Sequence, residues 1–133
     1  MIEMLFGHLV GDYFLQNNWI AQNKGKYSVA GWLICILHCS LYTISVCWFM
    51  GDFRADWMVL VFCSHFFIDK FALADKYARV IRSGGCLTRF FEKVGDWDTP
   101  KKEGLTAAFC ALVYVVIDNS AHLMIMYYGY KLL

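Results

Sequence analysis

Apolar positions along this chain fall in long runs, not in the short alternation of half-buried strands. Residues 29–50 (VAGWLICILHCSLYTISVCWFM) hold a single ionisable side chain, His38. A helix crossing a bilayer needs ~20 mostly apolar residues, and this run supplies them. Residues 104–128 form a second such run with Asp118 and His122 inside, and residues 55–74 a third with His65, Asp69 and Lys70. Lys70 lies near enough to one end of its run to snorkel. The first run, 2–22, is the most interrupted, by His8, Asp12, Gln16 and Asn17, so its polar side must face protein or water. The pattern predicts an all-α fold: a four-helix transmembrane bundle within one integral membrane domain, 1–133, with helices at about 2–22, 29–50, 55–74 and 104–128. Tryptophans support the boundaries, because Trp19, Trp32, Trp48 and Trp57 sit at predicted helix ends, where interfacial aromatics belong.

Composition agrees. Hydrophobic residues make up 59% of the 133, against roughly 45–50% in a soluble domain, and the mean hydropathy is +0.46. A net charge of +1 gives no field for nucleic acid. The start of the chain has an acid at Glu3 and no basic n-region, so no removable signal peptide is expected. Lys24 and Lys26 lie between helices one and two, and Lys70, Lys76, Arg79, Arg82, Arg89, Lys93, Lys101 and Lys102 flank or join helices three and four. The positive-inside rule makes that side cytoplasmic, with both termini on the non-cytoplasmic side. Residues 74–103 then read as a basic amphipathic cytoplasmic segment, with Phe90, Phe91 and Trp97 dipping into the interface. Cys35, Cys39, Cys47, Cys63 and Cys110 lie in apolar runs and Cys86 in a basic loop, so no disulfide is expected.

Candidate chemistry resides in the histidines. All four, His8, His38, His65 and His122, fall inside predicted spans, and three have an aspartate four residues away: His8 with Asp12, His65 with Asp69, Asp118 with His122. Residues four apart share a helix face. Helices one and three read His-x-x-x-Asp and helix four, running the other way, reads Asp-x-x-x-His. Each pair therefore places His nearer the outer face and Asp about 6 Å deeper. Counting from the outward helix ends puts all seven residues between the outer third and the middle of the bilayer. Gly7-x-x-x-Gly11 permits close helix approach there. Ionisable groups in hydrocarbon each cost at least ~2.5–3.5 kcal/mol, so these must pair, meet water or bind an ion. Imidazole and carboxylate are ligands for zinc, iron or manganese, and this set is enough for one divalent transition metal ion or for two bridged by carboxylates. A hydrogen-bonded His/Asp network without metal is the alternative. Gln16 extends the polar face as a supporting residue.

At these residues the sequence resembles a family of unknown function, small multi-pass membrane proteins of bacteria and their phages, which are in turn similar to inner-membrane proteins described as metal-dependent hydrolases. The matching stretches are HLVGDYFLQNNWIAQNK (His8, Asp12, Gln16), LHCSLYT (His38, Tyr42), SHFFIDK (His65, Asp69, Lys70) and IDNSAHL (Asp118, His122). The family more usually has glutamine where this chain has Asn119. The resemblance implies a multi-pass protein of the bacterial inner (cytoplasmic) membrane.

The leading expectation is a membrane-embedded metal-dependent hydrolase acting on a lipid or lipid-linked substrate. His8, His38, His65 and His122 would be the main ligands, with Asp12, Asp69 and Asp118 as ligands or base; Asp12 and Asp69 are the catalytic candidates. The alternative is a non-catalytic membrane subunit or interaction protein, and the third a small metal-ion or proton transporter working as an oligomer. Expected partners are membrane lipid, a second copy of the chain or a membrane protein, and no nucleic acid.

Overall fold

The computed structural model describes residues 1–74, 76–77 and 100–133, with side chains from residue 112 onward in the last stretch. These residues are all-helical, with no strand among them. The elements are α1 (Ile2–Leu9), a π turn (Val10–Phe14), α2 (Asn18–Asn23), α3 (Val29–Met50), α4 (Ala55–Lys70) and α5 (Pro100–Leu132). The chain divides into two compact units, Met1–Leu73 with Ala121–Leu133, and Ala74–Ser120. Most of the basic segment expected at 74–103, with Cys86, Phe90, Phe91 and Trp97, lies outside the described residues.

Helix α3 occupies the predicted 29–50 because its ends are chemically marked. Ser28 Oγ accepts from the Gly31 amide at 3.1 Å, satisfying an N-terminal donor. Gly51, at φ 64°, stops the helix in the left-handed conformation that glycine adopts without strain. Among the described residues α3 is the one helix long and apolar enough to cross a membrane.

The first run is not the continuous helix expected over 2–22. Bonds of the i→i+5 type underwind residues 10–14, the chain opens at Leu15–Asn17, and Asn17 Oδ1 caps α2 by accepting from Ile20 N at 2.9 Å. Helix α4 also stops short of residue 74. It ends at Lys70, and Ala72 takes a positive φ of 47°. Helix α5 extends past 104–128 at both ends.

In the first unit α1 lies backbone to backbone on α3, as the glycine spacing predicts. A Cβ at Gly7 would come within 2.7 Å of Val46 Cα, and one at Gly11 within 2.7 Å of Tyr42 Cδ2. Ser45 Oγ donates to the Gly7 carbonyl across the contact at 2.9 Å. Met4, Tyr42, Val46, Trp57, Val61 and Met126 complete an apolar core.

Polarity is inverted relative to a water-soluble bundle. His8, His38, His65, His122, Asp12 and Lys70 are buried, while Leu33, Leu37, Ile44 and Trp48 stand exposed along one face of α3, and Val59 and Phe67 on α4. Cys63, expected to be buried, faces outward, whereas Cys35, Cys39 and Cys47 are buried; these four are free thiols.

Candidate metal centre

Four of the seven expected ligands converge. Asp12, His38, His65 and Asp69 each offer one atom, and these atoms all lie within 4.8 Å of one another. Asp12 comes from the π turn, His38 from the middle of α3, and His65 and Asp69 from the last turns of α4. His38 Nε2 is 3.2 Å from Asp12 Oδ1 and 3.1 Å from Asp69 Oδ2. His65 Nε2 is 3.3 Å from Asp12 Oδ1 and 3.2 Å from Asp69 Oδ2. The two Nε2 atoms are 3.0 Å apart.

These spacings fit a bound ion. Ligand bonds of ~2.0–2.1 Å in a tetrahedron place donor atoms about 3.3–3.4 Å apart, close to the five separations of 3.0 to 3.3 Å. Protons alone serve the cluster poorly. Each Nε2 carries one proton at most, so two imidazoles cannot satisfy five short contacts. Asp12 Oδ1 is a buried oxygen that no hydrogen bond reaches in good geometry, although the His38 and His65 Nε2 atoms lie 3.2 and 3.3 Å from it. The donor set, two imidazoles and two carboxylates, suits zinc, iron(II) or manganese.

The π turn explains why Asp12 joins this group instead of pairing mainly with His8. Underwinding rotates Asp12 away from stacking directly over the residue four before it, and its Oδ2 is left 3.6 Å from His8 Nδ1. Such turns are frequent at functional sites. His65 and Asp69, on a regular helix, keep the expected i,i+4 contact.

His8 and His122 lie behind the four-atom group and not within it. His122 Nδ1 is 3.2 Å from His65 Nδ1, and His8 Nδ1 is 2.8 Å from the Tyr42 hydroxyl. The Tyr42 ring stacks on His65 with centroids 3.6 Å apart and planes 15° from parallel. Together they fix the orientation of the His65 ring, the role outer partners play around metal-ligating histidines. Asp118, one turn before His122 on α5, belongs to the other unit. Gln16 lies half-buried in the break before α2. The Cys35 and Cys39 thiols pack against each other at 4.0 Å and contribute no ligand atom to the group.

Two lysines were missed as site residues. Lys24, just past α2, folds back so that Nζ donates to Asp69 Oδ2 at 2.5 Å and lies 3.2 Å from His38 Nε2. Lys70, expected to snorkel, is buried at 1% exposure. Its ammonium donates to the carbonyls of Lys26 at 2.8 Å and Lys24 at 3.2 Å and lies 4.3 Å from the Trp32 ring centroid. It thereby closes the C-terminal end of α2, where free carbonyls favour a cation. The cluster is thus in contact with the end of the first unit that carries Lys24, Lys26 and Lys70. The one available signal was SHFFIDK, where Lys70 directly follows a ligand.

No curated protein and no solved structure matches the chain. A family model matches residues 1–132, and by it the chain belongs to the family described as "Protein of unknown function (DUF3307)".

Proposed function

We propose that this protein is a membrane-embedded metal-dependent hydrolase acting on a lipid-linked ester, with one divalent transition ion held by Asp12, His38, His65 and Asp69. The observation that carries the reading is the set of five donor–donor separations between 3.0 and 3.3 Å among those four side chains. Such an ion would supply Lewis-acid activation of water and of the scissile group, for which its coordination must extend beyond the four side-chain donors. The remaining work falls to the chain. Asp12 is placed as proton acceptor, because Lys24 already engages Asp69 Oδ2. Tyr42 and His122 hold the His65 ring in register from its face and its Nδ1 side.

Inverted polarity supports the membrane part of the reading. Ionisable groups inside and large apolar side chains outside suit a hydrocarbon surround. Helix α3 has the length to span it. We place the protein in the bacterial inner membrane as a four-helix, multi-pass bundle with both termini on the non-cytoplasmic side. In that orientation the contact of Lys24 with the cluster favours a site in the cytoplasmic half.

The test is metal content of the full-length protein purified gently in detergent. One equivalent is expected, lost in His65→Ala and Asp12→Asn while membrane insertion persists. If the wild type binds no added zinc, iron(II) or manganese, or if both variants retain wild-type content, the cluster is a metal-free network and the hydrolase reading fails with it.

A further inference from the structure

The lysine that reaches the cluster has no role in holding a cation. An ammonium group 2.5 Å from one ligand oxygen and 3.2 Å from a ligand nitrogen opposes a metal ion electrostatically. Its presence there calls for a reason.

Charge at the site supplies one. Asp12 and Asp69 contribute two negative charges to the four-atom group, and Lys24, in contact with it, one positive charge. With neutral imidazoles these three groups sum to −1. Adding a divalent ion leaves one positive charge in a region where Asp12, His38 and His65 are buried. Uncompensated charge out of water is costly, so the loaded group favours an anionic substrate. A carboxylic ester or an amide brings none. A phosphate monoester brings ~1.5–2 negative charges at neutral pH, and a phosphodiester with hydroxide brings two. Lys24 also has suitable reach. It leaves α2 at its C-terminal cap, its side chain is 15% exposed, and its ammonium lies at the rim of the cluster. An ion and an ammonium group side by side form a receptor for two oxygens of one phosphate.

Resting on the metal-dependent reading above, we propose that the substrate is a lipid-linked phosphate ester, with Lys24 binding a non-bridging phosphate oxygen beside the ion. In the hydrolysis, the oxygen of water bonds to phosphorus and the P–O bond to the leaving alcohol breaks. One water proton passes to Asp12 and on to the departing alkoxide, so no further reactant is needed. Lys24 exchanges its bond to Asp69 for one to the phosphate.

Two ligands decide the matter with the metal-loaded, full-length protein in detergent: inorganic phosphate and dioctanoyl phosphatidic acid, titrated calorimetrically. The variants are Lys24→Met and Lys24→Arg, and metal content is measured on each. Lys24→Met is expected to hold metal at least as tightly as wild type, because a nearby cation is gone, while binding phosphatidic acid at least tenfold more weakly. Lys24→Arg should recover most of that loss. Phosphatidic acid should bind the wild type at least tenfold more tightly than inorganic phosphate; equal or reversed affinities overturn the lipid-linked source. Unchanged phosphate binding in Lys24→Met overturns the role of Lys24. Loss of metal in that variant would make Lys24 a support for the ion and likewise overturn it. Failure of the wild type to hold metal sinks the underlying reading itself, a result visible in metal content before any phosphate is added.

Discussion

Residues 2–23 and residues 29–50 are equally long, and the protein makes opposite things of them. The second stretch is one unbroken helix of 22 residues, fixed by Ser28 and Gly51 and apolar over much of its outer face. The first is cut into α1, a π turn and α2. Regularity gives α3 its scaffold role: it receives α1, carries Tyr42 and places His38. The broken stretch supplies what a regular helix could not, an aspartate turned out of phase at the π turn and, just beyond α2, a lysine folded back onto the same cluster. A uniform apolar helix builds the frame, and departures from it deliver the charged groups.

The sharpest way to break this comparison is at the contact between the two stretches. Gly7→Ala would put a methyl 2.7 Å from Val46 Cα, where backbone must move. Overpacking of this kind costs about 1–3 kcal/mol, and thermal unfolding in detergent should show it, while Ala30→Gly, on the exposed side of α3, should show much less. A smaller effect is expected from Tyr42→Phe, which keeps the ring on His65 but removes the hydroxyl from His8 Nδ1. Metal affinity should fall about tenfold, the lower end for such outer partners, and competition with a chelator would measure it. Asn17→Ala removes the cap of α2 at about 1 kcal/mol. Because α2 carries Lys24, the loss should appear as faster amide exchange in residues 18–24 and not in α3.

The smallest effect concerns Asp52, outside both stretches, in the loop after α3. The Arg54 backbone N–H donates to its carboxylate at 3.0 Å, and the Arg54 guanidinium approaches at 3.0 Å. These hold its pKa below the ordinary value. A lowered carboxylate pKa adds stability that is present above the unfolded value of about 3.9 and disappears as pH falls through the folded one. Asp52→Asn should therefore flatten the stability profile below about pH 4 and leave it unchanged at pH 7 apart from a constant offset.

Much of the frame was legible in sequence because apolar runs and caps are local. Residues 29–50 read directly, and so did His65 with Asp69, since a regular helix preserves the i,i+4 phase. The Gly7 and Gly11 spacing gave a close helix approach, and the structure identifies its partner as α3. What escaped was whatever changed phase or folded back. A period of 3.6 cannot anticipate five underwound residues: Asp12 was expected in the cluster as the helical partner of His8, and its closer contacts are His38 and His65. Lys24 read as a topological charge because a loop lysine carries no sign of where its four-carbon stem will reach. Lys70 was expected at a membrane surface, yet its burial depends on carbonyls 44 and 46 residues away in sequence.

Drawing the donors from positions 12, 38, 65 and 69 has a kinetic consequence. An ion seated among side chains at most 8% exposed ties the π turn, α3 and α4 together, with access narrowed to the side of Lys24, itself 15% exposed. A chelator too bulky for that opening cannot pull on the ion and must wait for those elements to part. Release should then proceed at a rate that stops rising once chelator is in excess, with the temperature dependence of a partial unfolding step. The lifetime of the bound ion would report how often this small bundle opens.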